Sequence, residues 1–218
     1  MAPRTAGKEL ERLRCFFRVC QDNGWIASNP AKNIKAPQIR PNPTLPYNDA
    51  EISKILAASD FPAQVFYRTL LHSGLRILDT AKLRPERIQD GKLFLYQAKT
   101  GQPVFVPLPP DLVADLEKLK LTGGYYFAVE SDRPESIAEY YRKKLHKIQD
   151  GFHAHRFRDT FAVRLLQAGV PLEEVSVLLG HSSIRITEQH YAPWVKARQD
   201  RLEELVRRTW KTALVRVK

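Results

Sequence analysis

The sequence predicts an α+β fold that is mainly α: a set of helices carrying one small three-stranded antiparallel sheet. Three observations predict it. Apolar residues recur at helical spacing through most of the chain. One interval, Glu86 to Val106, instead breaks into short β-rich runs punctuated by Asp90-Gly91 and Thr100-Gly101. Five of the 15 prolines fall between Pro30 and Pro46, which separates an N-terminal helix from everything after it.

Taken in order, residues 8–22 set Leu10, Leu13, Cys15, Phe16, Phe17, Val19 and Cys20 among charges, an amphipathic helix that needs a partner surface. Cys15 and Cys20 lie five apart, a spacing that suits neither zinc nor a disulfide within a helix, so both are expected to be reduced core cysteines. Pro30, Pro37, Pro41, Pro43 and Pro46, mixed with Lys32, Lys35 and Arg40, predict an extended linker. Asn48 or Asp49 can then cap a helix over Glu51 to Ala58, and a second helix, Ala63 to His72, ends at Ser73-Gly74. Strands are expected at Lys92 to Gln97 and Pro103 to Val106, with a third beside them. After Pro109-Pro110 the helical period returns in Asp111 to Lys120, Ile137 to Gln149, Arg158 to Ala168 and Pro171 to Leu179. A short helix from about Ser183 is expected to stop at Pro193, and a last one to run from Lys196 to Trp210. In that last helix Arg198, Arg201, Arg207 and Arg208 oppose Leu202, Leu205 and Val206, which predicts an apolar face packed on the core.

Composition narrows the function. With 43% hydrophobic and 27% charged residues the chain can build a core. Its longest apolar runs, Val104 to Leu108 and Val175 to Leu179, are far shorter than the roughly 20 residues that span a bilayer. The Met-Ala-Pro-Arg start shows no signal peptide, so a cytoplasmic protein, bacterial and nucleoid-associated, with no membrane partner is expected. Lys and Arg number 35 against 24 Asp and Glu, a net charge of +11, and a polyanion is the first partner to consider. His153 and His155 have no Cys, Asp or Glu cluster nearby to complete a metal shell, and no metal, cofactor or small-molecule substrate is expected.

Breaking a DNA phosphodiester without a metal needs a nucleophile, cations on the nonbridging oxygens and an acid for the leaving 5′ oxygen. The last third of the chain offers His155-Arg156-Phe157-Arg158, then Leu179-Gly180-His181, then Tyr191 at the end of Thr187-Glu188-Gln189-His190-Tyr191. Earlier stand Ser73-Gly74-Leu75-Arg76, with Asp79 close behind, and Lys99 within Ala98-Lys99-Thr100-Gly101. This order resembles the tyrosine recombinase, or phage integrase, family, over about residues 45–210. His153-Ala154-His155-Arg156 offers a second His-x-x-Arg register, but the family's continuation matches Arg158-Asp159-Thr160-Phe161-Ala162 and selects His155 and Arg158. Asp159 is the departure, standing where the family usually has a His; it is expected to orient Arg158 and to lower the local positive potential.

The resemblance implies an integrase-type catalytic domain over 47–218, preceded by a 29–46 linker and, in 1–28, the remnant last helix of a core-binding domain. It implies that Arg76 and Arg158 clamp the phosphate, Lys99 protonates the leaving oxygen, and His155 assists proton transfer with Tyr191. His181 would hydrogen-bond the phosphate, and Tyr191 would form a 3′-phosphotyrosine that reseals without ATP. Tyr125, Tyr126, Tyr140, Tyr141 and His190 lie off the family spacing and are assigned to packing. The implied partners are double-stranded DNA and further copies of the chain, as a tetramer, with the tail Lys211 to Lys218 a candidate for docking on a neighbour. Two other readings share these residues: an integrase-derived DNA-binding protein with weak or no catalysis, and a type IB topoisomerase.

Overall fold

The computed structural model describes residues 3–38, 45–129 and 133–212. The chain divides into two compact units, Met1–Asn42 and Pro43–Lys218. In the first, helix α1 (Pro3–Asp22) starts earlier than its apolar pattern and buries Leu10 and Cys20. Arg14 of α1 donates to the carbonyls of Ala31 and Ile34, at 3.2 and 2.6 Å, while Asn29 Nδ2 donates to the Arg14 carbonyl. The linker therefore begins as a turn at residues 30–33, bound back onto α1, before the chain becomes non-helical. Cys15 is exposed, which corrects its assignment to the core; Cys20 is buried. Arg40, Pro41 and Pro43, the tail from 213, and the side chains of Arg198, Arg201 and Lys211 lie outside the described residues.

In the second unit, α2 (Asp49–Ala57) opens with a capping box: Asn48 Oδ1 accepts from Glu51 N, and Glu51 accepts from Asn48 N. Helix α3 (Phe61–Ser73) is capped by Asp60 and ends at Gly74, whose φ of 63° is left-handed. A Cβ at Gly74 would also lie 2.5 Å from the Phe161 ring, so only glycine fits there. Then follow α4 (Ile77–Ala81), a short 3-10 turn at Pro85–Arg87, and strands β1 (Ile88–Gln89), β2 (Lys92–Tyr96) and β3 (Pro103–Pro107). The strands pair antiparallel in the order β1-β2-β3. Asp90 and Gly91, both at positive φ, make the two-residue turn between β1 and β2. Period-two alternation puts Leu93, Leu95, Val104 and Val106 in the core and leaves Phe94, Tyr96 and Phe105 exposed.

Helices α5 (Pro110–Glu117), α6 (Pro134–Ile148), α7 (His155–Ala168), α8 (Leu172–Leu178) and α9 (Ile184–Thr212) complete the unit. Helix α7 packs on α3, α8 and α9 and is buried on nearly every side of its first two turns, from Phe157 to Val163. The aromatic core around it joins Tyr47 to Phe157 at 4.8 Å, Tyr67 to Phe157 at 5.7 Å and Phe66 to Phe127 at 4.9 Å between ring centroids. Tyr126 and Tyr141 are buried as expected, but Tyr140 and His190 are exposed. Two further expectations are corrected. Helix α9 passes through Pro193 without a break, and Leu202, Leu205 and Val206 are 42, 48 and 52% exposed instead of packed on the core. No helix among the described residues is long and apolar enough to cross a membrane.

Candidate active site

Arg76 owes its position to two adjacent caps. Gly74 ends α3, Leu75 is buried, and Arg76 is the residue that begins α4, with extended backbone angles. Its Nη1 donates to Gln97 Oε1 at the end of the β2–β3 hairpin. Burial holds the guanidinium below its ordinary value, against the raising effect of Asp79. Asp79 is buried too. Its Oδ1 accepts from Ala98 N at 2.9 Å, pinning the residue just before Lys99, while its Oδ2 has no hydrogen-bond partner among the described residues. Lys99 is exposed on the loop and shares a cavity of about 590 Å3 with Arg76, Asp79, Lys82, Ala154 and His155.

Helix α7 supplies three more groups from its first turns. His155 is its first residue, where unpaired backbone N–H groups disfavour a cation. Desolvation lowers the His155 pKa, and Arg158, His153 and Arg76 push the same way, while Asp159 opposes them. One turn on, Arg158 is 1% exposed and spends its fork on carbonyls: Nη1 to Gly74 O at 2.7 Å and Nη2 to Leu179 O at 2.6 Å. Burial, then the charge of Arg76, brings Arg158 down to about 10. Asp159 does not orient Arg158, which corrects that expectation. Its Oδ1 instead accepts from the Tyr191 hydroxyl at 2.8 Å and lies 3.8 Å from His155 Nε2.

The third wall comes from the turn after α8 and the start of α9. Gly180 has φ +60°, and a Cβ there would sit 2.6 Å from Gln97 Nε2, so the turn that presents His181 requires glycine. His181 Nδ1 lies 2.7 Å from the hydroxyl of Thr187, which is fully buried on α9. Burial first, then Arg158 and Arg76, pushes His181 down to about 4, so it is neutral at pH 7. Tyr191 is 2% exposed. Burial and the Asp159 charge raise its phenol well above the ordinary value, with Arg158 pulling the other way.

Arg76, His155, Arg158, His181 and Tyr191 thus stand within one electrostatic neighbourhood, and Lys99 lines the same cavity as Arg76 and His155. Sequence reasoning missed Gln97 and Thr187. Gln97 is 2% exposed, accepts from Arg76 and donates to Leu179 O at 2.6 Å, tying the hairpin to two motif segments. A polar residue at an inward-facing strand position was the available signal. Among the described residues no group of three or more His, Cys, Asp or Glu could hold a metal. The arrangement can bind an anion between cations whose charge is already strained by burial, beside a phenol and its hydrogen-bond acceptor.

These features define a class. The chain belongs to the phage integrase family, whose sequence pattern matches residues 48–198. Among its relatives is a tyrosine recombinase of Pseudothermotoga lettingae, 30% identical over 195 residues that cover 83% of this chain and 67% of that protein. Kinship at this level makes the chain a tyrosine recombinase. The fold agrees with a solved lambda integrase dimer bound to a COC′ core site, at TM-score 0.70 and 22% identity over 86% of this chain and 59% of that one. It agrees also with a lambda integrase tetramer bound to a Holliday junction, at TM-score 0.65 and 23% identity over 80% of this chain and 57% of that one.

Proposed function

We propose that this protein is a site-specific recombinase that cuts and rejoins double-stranded DNA through a 3′-phosphotyrosine on Tyr191. The observation that carries the reading is the meeting of the Tyr191 hydroxyl, Arg158, His155 and His181 around one spot, reached from three separate stretches of chain: α7, the turn after α8, and α9. In the reaction, Arg76 grips a nonbridging oxygen, and Arg158, with one N–H of each Nη held by a carbonyl, offers its remaining N–H groups and its charge to the phosphorane. His181, whose Nδ1 lies 2.7 Å from the Thr187 hydroxyl, offers an Nε2 proton to the same phosphate in the tautomer whose Nδ1 accepts from that hydroxyl, and a neutral imidazole suits that donation. Lys99, exposed on its loop, protonates the leaving 5′ oxygen. Because a phenolate leaves readily, the covalent bond is resealed by a DNA hydroxyl without ATP.

DNA is the proposed partner on two grounds: the net charge of +11, and solved relatives that are bound to DNA. Assembly as a tetramer is the second part of the proposal. The exposed Leu202, Leu205 and Val206 of α9 give an apolar stripe for a neighbouring copy, and one solved relative is a tetramer on a Holliday junction. A DNA-binding protein with weak or no catalysis remains the competing reading, and the deep burial of Tyr191 favours it. The test is a suicide substrate nicked beside the scissile phosphate. An SDS-stable protein–DNA adduct is expected from the wild type and none from Tyr191→Phe. Wild-type protein that binds this DNA yet forms no adduct would support the competing reading.

A further inference from the structure

We propose that Asp159 is a catalytic residue, the base that takes the phenolic proton of Tyr191 as the bond to phosphorus forms. The proposal rests on the phosphotyrosine reading and assigns a residue within it. Asp159 touches the reacting atom itself: its Oδ1 accepts the Tyr191 hydroxyl proton in a hydrogen bond of 2.8 Å. Both side chains are almost out of water, Asp159 at 8% and Tyr191 at 2% exposed, so bulk solvent is poorly placed to take that proton.

Charge balance in the buried site favours this acceptor over the histidines. Moving the proton from Tyr191 to Asp159 exchanges one anion for another, so the pair carries the same net charge before and after. Moving it to the neutral imidazole of His181 would separate a new phenolate from a new imidazolium, which a poorly hydrated site penalises, and the exposed His155 is not the group to which the Tyr191 hydroxyl hydrogen-bonds. Burial and the nearby carboxylate both hold the phenol proton tightly, so the nucleophile needs a base in contact with it. Arg158 is coupled to both Tyr191 and Asp159 and stays cationic next to whichever oxygen holds the charge.

The Tyr191 O–H bond breaks and a carboxyl O–H bond forms on Asp159. The freed electron pair on the phenol oxygen makes the O–P bond, and the P–O5′ bond breaks, its electron pair taking a proton from Lys99. His155 Nε2 lies 3.8 Å from the same carboxylate oxygen, and the proton stays on Asp159 until religation. In religation the order reverses, and protonated Asp159 returns the proton to the departing phenolate.

The test compares single-turnover adduct formation by the full chain on a nicked suicide substrate. Asp159→Asn keeps an oxygen that can accept from Tyr191 but is not a base. It is expected to slow adduct formation on the order of 10²-fold or more, with DNA affinity and melting temperature at the wild-type level. A rate within about threefold of wild type overturns the proposal, because a hydrogen-bond anchor alone would then suffice. A 5′-bridging phosphorothiolate substrate separates base from acid, since its sulfur leaves without a proton. Lys99→Ala should recover on it and Asp159→Asn should not; equal recovery of the two overturns the assignment. Asp159→His restores a proton acceptor and should run at least about tenfold faster than Asp159→Asn, and no gain would leave Asp159 a positioning group only. Absence of adduct from the wild type is a separate outcome, which fails the phosphotyrosine reading and this assignment with it.

Discussion

Gln97 illustrates how much of the site hangs on one uncharged side chain. Its carboxamide does two opposite jobs, accepting from Arg76 and from the Thr100 hydroxyl through Oε1 and donating to Leu179 O through Nε2. A carboxylate would serve the first task and face a carbonyl with no proton in the second. Gln97→Leu is expected to cost about 1–3 kcal/mol of stability in urea unfolding, the penalty for buried polar partners left unmet, and to lower cleavage because Arg76 loses its tether. Unchanged stability and cleavage would show that Arg76 is held by something else. The six motif residues were legible in the sequence because their order and spacing carry the pattern. The link from Asp159 to Tyr191 was not, since it crosses from α7 to α9 over 32 residues, and linear spacing carries no side-chain direction. Asp159 read as a partner for its chain neighbour Arg158, whose fork in fact goes to two carbonyls.

Helix α9 shows where element-scale reading breaks down. A proline has no N–H for the carbonyl four residues back and usually ends or kinks a helix at a cost of about 3 kcal/mol. The sequence accordingly predicts a stop at Pro193, yet α9 runs from Ile184 to Thr212. Packing on both sides of the proline explains the continuity: Thr187 and Tyr191 are buried before it, and Trp194 and Val195 pack against the core after it. The turns that hold the helix together are fixed from outside. Pro193→Ala is expected to raise the free energy of unfolding by up to about 3 kcal/mol, seen as a higher melting temperature; a lower one would mean the proline shapes the helix in a way the core needs. By contrast the β1–β2 turn was legible down to its two residues, because Asp-Gly at positive φ is a local preference that needs no tertiary help. Helix α4, five residues long, left too short a period to be seen.

At the scale of the whole molecule, the excess of basic residues was plain from composition, but its convergence on one site was not, because that depends on how α3, the hairpin, α7 and the turn after α8 meet. The convergence has a thermodynamic signature. Burial lowers the pKa of Arg76, Arg158, His155 and His181, with repulsion from neighbouring cations added at the last three, and burial lowers that of His72 elsewhere in the unit. For a histidine whose folded value lies below its unfolded one, the unfolded chain binds the proton first as pH falls. Its contribution therefore favours folding at neutral pH and is lost on acidification, beginning near 6.5 and ending near the folded value, about 4 for His181. Within that window each such histidine contributes a slope of at most about 1.4 kcal/mol per pH unit. Melting temperatures measured from pH 7 to pH 4 should fall progressively, and His181→Gln, which has no proton to gain, should flatten the curve. A duplex bound at the site should oppose the loss, since the anion that the cations are arranged to meet favours their charged forms. If His181→Gln follows the wild-type curve unchanged, His181 titrates normally and is not crowded by Arg76 and Arg158, which would place it outside the anion site.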